Sequence, residues 1–128
     1  MRYHLDTSFL IDWHRRDPRV LPLLDEVLAG LHEISIDPIV ETEYFAAERI
    51  DRGKQFTYDT ALSLGSSLPL TSQTSRLAAS WLAPMDHPKR LAHFADALIA
   101  ATAATAGAVL VTGDRRVARV FPVAVFEY

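Results

Sequence analysis

The chain has 128 residues with a formal net charge of −3 and no cysteine. This length supports one domain with a single core, covering residues 1–128. The absence of cysteine excludes disulfides, zinc–thiolate sites and cysteine nucleophiles, and the negative charge argues against a protein that coats long nucleic acids. No apolar run reaches the ~20 residues of a membrane span, and the first residues do not resemble a signal peptide. We therefore expect a cytoplasmic protein with no membrane partner.

Short apolar runs alternate along the chain with segments whose apolar residues recur at helical spacing. The predicted strands cover residues 3–6, 34–36, 68–70, 108–112 and 123–126. The predicted helices cover residues 7–15, 18–30, 38–53, 55–64, 71–82 and 89–106, with a short one from Asp114. Their predicted N-caps are Thr7 or Ser8, Asp37, and Thr71 or Ser72. This alternation predicts an α/β fold, with a central, mostly parallel sheet of about five strands and helices on both faces.

Asp96 is the most informative acid, because it lies among small apolar residues in the longest predicted helix. A carboxylate in such surroundings is costly unless it is paired, hydrogen-bonded or bound to a cation. His93 lies one turn earlier and could orient Asp96, although a surface histidine is the simpler interpretation. The position of Asp96 therefore points to a functional site.

Three further acids stand where an α/β fold could gather them. Asp6 and Asp114 each follow a predicted strand, and ligands bind beyond the carboxyl ends of parallel strands. Glu43 lies on the apolar face of its helix, whereas Glu41 is expected to face solvent. Each acid alone has an ordinary explanation as a cap or a surface charge. Together, their oxygen ligands suit a hard divalent cation such as Mg²⁺ or Mn²⁺.

Four segments, in this order, resemble the PIN-domain family and, within it, the VapC-like ribonuclease toxins of bacterial and archaeal toxin–antitoxin pairs. They are residues 5–11, 35–43, 96–103 and 111–115, of which 96–103 is the most specific. The resemblance implies a Mg²⁺- or Mn²⁺-dependent RNA endonuclease that forms a homodimer. It also implies a small antitoxin that inserts into the active-site groove. By position, the family's metal-coordinating acids correspond to Asp6, Glu43, Asp96 and Asp114.

The chain departs from this family beyond Asp114. Many relatives carry a further acid two or three residues later, where this chain has Arg116 and Val117. The number of metal ions, one or two, therefore stays open.

The chemistry of these acids suggests a mechanism for RNA hydrolysis. A Mg²⁺ held by Asp6, Asp96 and Asp114 can lower the pKa of a water and polarise the scissile phosphate. Glu43 would hold the metal through water or position the attacking water. Three hydroxyls could hydrogen-bond the carboxylates, although capping is the preferred role for them. They belong to Thr7, Ser8 and Thr112.

Two alternatives come from other functional classes. A phosphohydrolase that forms an aspartyl-phosphate on Asp6 would carry an acid two residues later and a lysine late in the chain. This chain has Ser8 at that position, and its last lysine is Lys89. The second alternative is a catalytically weak PIN-like interaction module that binds a partner protein or promoter DNA.

Contacts with an antitoxin or a second copy would use exposed apolar side chains. The candidates are four aromatic residues on predicted helices, Phe45, Phe56, Tyr58 and Trp81. Burial in the core is the alternative for all four, and applies most to Phe45 and Trp81.

Overall fold

The computed structural model describes residues 1–47 and 51–128. Within them, five strands form one sheet. They are β1 (Arg2–Leu5), β2 (Glu33–Ile36), β3 (Ser66–Ser67), β4 (Val109–Thr112) and β5 (Val125–Glu127). The strand order is β3-β2-β1-β4-β5, and every neighbouring pair is parallel. In the central strand, Tyr3 aligns with Ile34 of β2 and Val109 of β4.

Seven α-helices and a short 3-10 helix (Pro18–Val20) connect the strands of the described chain. The α-helices are α1 (Thr7–His14), α2 (Leu21–Leu28), α3 (Pro38–Ala47), α4 (Arg52–Leu64), α5 (Ser72–Leu82), α6 (His87–Thr105) and α7 (Val117–Val120). No helix in the described ranges is both long enough and apolar enough to cross a membrane.

The middle of the sheet is covered on both faces. Successive strand residues point to opposite faces, and in β1 the side chains of Tyr3, His4 and Leu5 are all buried. Phe9 of α1 and Ile99 of α6 belong to the same buried core. This arrangement confirms the predicted α/β architecture with helices on both faces.

A buried polar network ties β1 and β2 to the start of α3. His4 is hydrogen-bonded through Nδ1 to the Ser35 hydroxyl (2.8 Å) and through Nε2 to Asp37 Oδ2 (2.7 Å). The other Asp37 oxygen accepts hydrogen bonds from the backbone N–H groups of Ile39 (2.7 Å) and Val40 (2.9 Å). Asp37 is therefore the cap of α3, as predicted.

Several predicted element boundaries are wrong by a few residues. The N-cap of α1 is Asp6, not Thr7 or Ser8. The edge strand β3 precedes residues 68–70, where Pro69 has no N–H to donate to a neighbouring strand. Gly65 allows this close approach, because a Cβ there would lie 2.2 Å from the Ile34 carbonyl oxygen.

Helix ends differ for identifiable reasons. Helix α6 starts at His87 because Asp86 caps it and Pro88 is tolerated in the first turn. Gly53 was predicted to end a helix, but it lies in the first turn of α4. The predicted continuation of α3 falls partly on residues 48–50, outside the described residues. The apolar spacing of α2 places Leu28 on the same face as Val27, yet Leu28 is exposed whereas Val27 is buried.

The four candidate aromatics divide between core and surface. Tyr58 is buried, so its expected place at an interface is wrong. Phe45 and Trp81 are partly buried and pack against the core, as the alternative predicted. Phe56 has 72% of its surface exposed and remains a candidate for a protein contact.

Candidate active site

The four predicted acids are brought to one edge of the sheet. Asp6 follows β1, and Asp114 lies two residues after β4. Because β1 and β4 are paired in parallel, their carboxyl ends lie side by side. Glu43 and Asp96 come from α3 and α6, which contact each other. Glu41 is exposed, as expected.

The Asp6 carboxylate is buried and is held by hydrogen bonds from both sides. Its Oδ1 accepts from the Thr7 backbone N–H at 2.7 Å. Its Oδ2 accepts from the hydroxyl of Thr112 at 2.7 Å and from that of Ser8 at 3.3 Å. The Thr112 hydroxyl also accepts from the Asp114 backbone N–H at 3.0 Å. This threonine therefore connects two of the predicted acids.

Thr7 makes a corresponding connection on the other side of Asp6. Its hydroxyl donates to Glu43 Oε1 at 2.8 Å, while its N–H donates to Asp6. The preference for capping as the role of Thr7, Ser8 and Thr112 is thus wrong, since all three hydroxyls take part in bonds around these carboxylates. The Thr112–Asp6 bond joins residues 106 positions apart. The sequence indicates that Thr112 could bond a carboxylate, but it does not indicate which carboxylate.

The pKa values of Asp6, Glu43 and Asp96 are raised, whereas that of Asp114 is lowered. The pKa of Asp96 is raised to about 6, first by burial and then by nearby negative charges. Those charges belong to Asp6, Glu43 and Asp114. Burial also raises the pKa of Asp6, despite its hydrogen bonds, and that of Glu43. These three carboxyl groups therefore lie in a region that is short of positive charge.

Asp114 differs because it is paired with Arg116. The guanidinium donates from Nε to Oδ1 (3.1 Å) and from Nη2 to Oδ2 (2.9 Å), and the Arg116 backbone N–H donates to Oδ1 (2.9 Å). These bonds hold the pKa of Asp114 below its ordinary value. The sequence marks Arg116 only as a departure from the pattern of the family that the chain resembles. The structure shows that it contacts one of the predicted acids.

A small cleft of about 70 Å³ lies between α6 and α7 beside the acids. His93, Asp96 and Arg116 form part of its lining. The His93 ring packs edge-on against Phe121, with 6.1 Å between ring centroids. His93 is therefore half-buried beside the site and is not a freely solvated surface residue.

The donor set fits a hard divalent cation by its chemistry, since it offers carboxylate oxygens and a deficit of positive charge. Among residues 1–47 and 51–128, however, no three or more His, Asp or Glu side chains already have the arrangement of a metal site. Both oxygens of Asp114 are engaged by Arg116. Metal binding would thus require rearrangement of side chains within this cluster.

The sequence profile of the PIN domain matches residues 3–121, which is nearly the whole chain. The chain belongs to the PIN-domain family. The matched region contains β1, α3, α6 and β4, the elements that position the four acids. No curated protein matches this PIN domain in sequence.

Solved structures share the fold along almost the full chain. One is a chain of VapBC2 from Rickettsia felis, solved with a DNA fragment from its promoter, which matches with a TM-score of 0.79 and 21% sequence identity. The match covers 99% of this PIN domain and 98% of that chain. DNA-bound VapBC from Salmonella typhimurium has a TM-score of 0.74 and 18% identity, with the same coverage. VapBC-1 from nontypeable Haemophilus influenzae has a TM-score of 0.72 and 16% identity, again with 99% and 98% covered. At these identities the likeness establishes the fold.

Proposed function

We propose that this PIN domain is a Mg²⁺- or Mn²⁺-dependent endoribonuclease and the toxin of a toxin–antitoxin pair. The main support is the cluster of Asp6, Glu43 and Asp96, in which burial raises the pKa of every member. A protein gains nothing in stability by collecting like charges, so such a cluster favours a role in binding a cation. Membership of the PIN-domain family supports the same role.

In the proposed site, Asp6, Asp96 and Asp114 hold the cation, and Glu43 contacts it through water or positions the attacking water. When bound, the cation supplies a Lewis acid for the phosphodiester and lowers the pKa of water. Thr7, through its bond to Glu43, fixes the direction of that carboxylate. The pKa of Glu43 is raised, which makes this carboxylate a better proton acceptor than an ordinary exposed glutamate.

The partner in this proposal is a small antitoxin, and the active assembly is a homodimer. The support for an antitoxin is that the structural neighbours are VapBC toxin–antitoxin complexes. A basic side chain of the antitoxin placed against Asp6, Glu43 and Asp96 would supply the missing positive charge. Inhibition would then follow from competition with the cation.

The decisive experiment is cleavage of a panel of cellular RNAs by purified protein, with Mg²⁺ or Mn²⁺ and with EDTA. We expect cleavage only with the metal, because the carboxylates alone cannot polarise a phosphate. Asp96→Asn should lower the rate by about 100-fold or more, since even residues that only orient metal ligands cost about 10–100-fold.

The matched control is Asp25→Asn, which removes one carboxylate from an exposed position on α2. It should cleave RNA like the wild type. Cleavage that persists in EDTA, or full activity of Asp96→Asn, would contradict the proposed mechanism. No cleavage by the wild type, combined with binding of a partner protein or promoter DNA, would favour the interaction module instead.

A further inference from the structure

Arg116 occupies the oxygens of Asp114 that a cation would need. The guanidinium lies against both of them, with Nε 3.1 Å from Oδ1 and Nη2 2.9 Å from Oδ2. This two-point geometry matches the planar fork of arginine to a carboxylate and is stronger than a single charged contact. Asp114 is therefore already neutralised by the chain itself.

The positive charge of Arg116 acts on more than its direct partner. It also opposes the rise in the pKa of Asp96, and Arg116 and Asp96 line the same cleft. The Arg116 side chain is 78% exposed, compared with 29% for that of Asp114. It can leave Asp114 for solvent without disturbing the core, whereas the carboxylate stays at the site.

We propose that Arg116 is an internal competitor of the divalent cation at Asp114, so that metal binding opens the Arg116–Asp114 ion pair. This inference rests on the proposed metal site. Oδ1 of Asp114 already accepts two hydrogen bonds from Arg116 and Oδ2 accepts one. A cation that approaches this carboxylate therefore competes with the guanidinium for the remaining lone pairs and is repelled by its positive charge.

Arg115 provides a matched control for the geometry of this competition. It carries the same charge one position earlier and is also exposed. Neutralising either arginine makes the surroundings of the acids more negative, which alone strengthens cation binding slightly. Only neutralising Arg116 also removes the two guanidinium bonds to the Asp114 oxygens and leaves Oδ2 free, while the backbone N–H of residue 116 keeps its bond to Oδ1.

The test is calorimetric titration of Mn²⁺ into metal-free wild type, Arg116→Gln and Arg115→Gln. We expect Arg116→Gln to bind Mn²⁺ about three- to tenfold more tightly than the wild type, and Arg115→Gln less than about twofold more tightly. Arg116→Lys should lie between the wild type and Arg116→Gln, because it keeps the charge but loses the two-point contact.

A second measurement uses the wild type alone and does not depend on a variant. The Nε–H resonance of Arg116, which reports the bond to Asp114, should shift on addition of Mg²⁺ because the pair opens. Equal tightening in Arg116→Gln and Arg115→Gln, or an Nε–H resonance unmoved at saturating Mg²⁺, overturns the inference while leaving the metal site intact. If none of the proteins binds a divalent cation, the proposed function and the inference both fail.

Discussion

Asp96 links the candidate site to the stability of the fold. Its pKa of about 6, raised from 3.8 mainly by burial, means that the folded protein binds this proton more tightly than the unfolded chain. The resulting stabilisation is complete below about pH 4 and is lost as the pH rises through 6. Asp6 and Glu43 act in the same direction, because their pKa values are also raised. Asp114 has a lowered pKa, so its effect is opposite: it stabilises the fold above the ordinary pKa of an aspartate, and this stabilisation is lost as the pH falls below that pKa.

We therefore predict that Asp96→Asn stabilises the metal-free protein at neutral pH. At pH 7.5 its Tm should exceed that of the wild type by about 3–6 °C, the shift for about 1 kcal/mol in a domain of this size. That energy is discounted from the pKa shift because Asp96 is only partly buried. Thermal melts between pH 4 and 8, with EDTA, would show the difference shrinking below pH 6 and vanishing near pH 4.

The control for this prediction is Asp25→Asn, whose Tm should follow that of the wild type at every pH. A Tm of Asp96→Asn below the wild-type value at pH 7.5 would mean that the carboxylate supports the fold. The negative charge of Asp96 would then have a structural role, and this would contradict a cluster of carboxylates kept for binding a cation.

At the scale of helices and strands, local signals were predictable and long-range contacts were not. Asp37 before Pro38, and Thr71 before its helix, predicted helix starts because a cap acts within three residues of its own position. The four acids were predicted from where strands end and which face a helix buries. Thr112 was predictable as a hydroxyl that could bond a carboxylate. Its choice of Asp6 was not, because that choice depends on the folded arrangement. The Arg116–Asp114 pair is local and could have been proposed from its spacing.

The start of α3 gives a prediction at this scale, because its cap is also a buried hydrogen-bond partner. Asp37→Ala removes two bonds to backbone N–H groups and leaves His4 without its 2.7 Å partner. We expect the free energy of unfolding to fall by about 2–4 kcal/mol, measured by urea denaturation. Because α3 carries Glu43, metal affinity should fall as well.

Asp86→Ala is the appropriate comparison, since it removes an exposed cap with a single bond, to the Lys89 N–H at 3.1 Å. It should cost about 1 kcal/mol or less. Equal losses in the two variants would show that the buried contact with His4 adds nothing to an ordinary cap.

On the scale of the whole molecule, one groove of about 540 Å³ between α1, α2 and α4 has exposed apolar side chains in its lining. Phe56 and Leu21 line it and are 72% and 45% exposed. His14 and Arg16 also line the groove. An apolar groove with basic groups suits an apolar segment of a partner that carries acidic residues. Under the proposed function, that partner is the antitoxin.

We predict that Phe56→Ser weakens the complex with the proposed antitoxin, which we expect to be a small protein encoded beside this chain. A loss of about 10–30-fold in affinity, measured by calorimetry, is typical of an aromatic anchor at an interface. RNA cleavage should be unchanged, because Phe56 is not among the acids or their partners. Leu31→Ser, which replaces a 63% exposed leucine outside this groove, should bind the antitoxin like the wild type. Loss of self-association in Phe56→Ser, with antitoxin affinity intact, would assign the groove to a second copy of this chain and contradict the prediction.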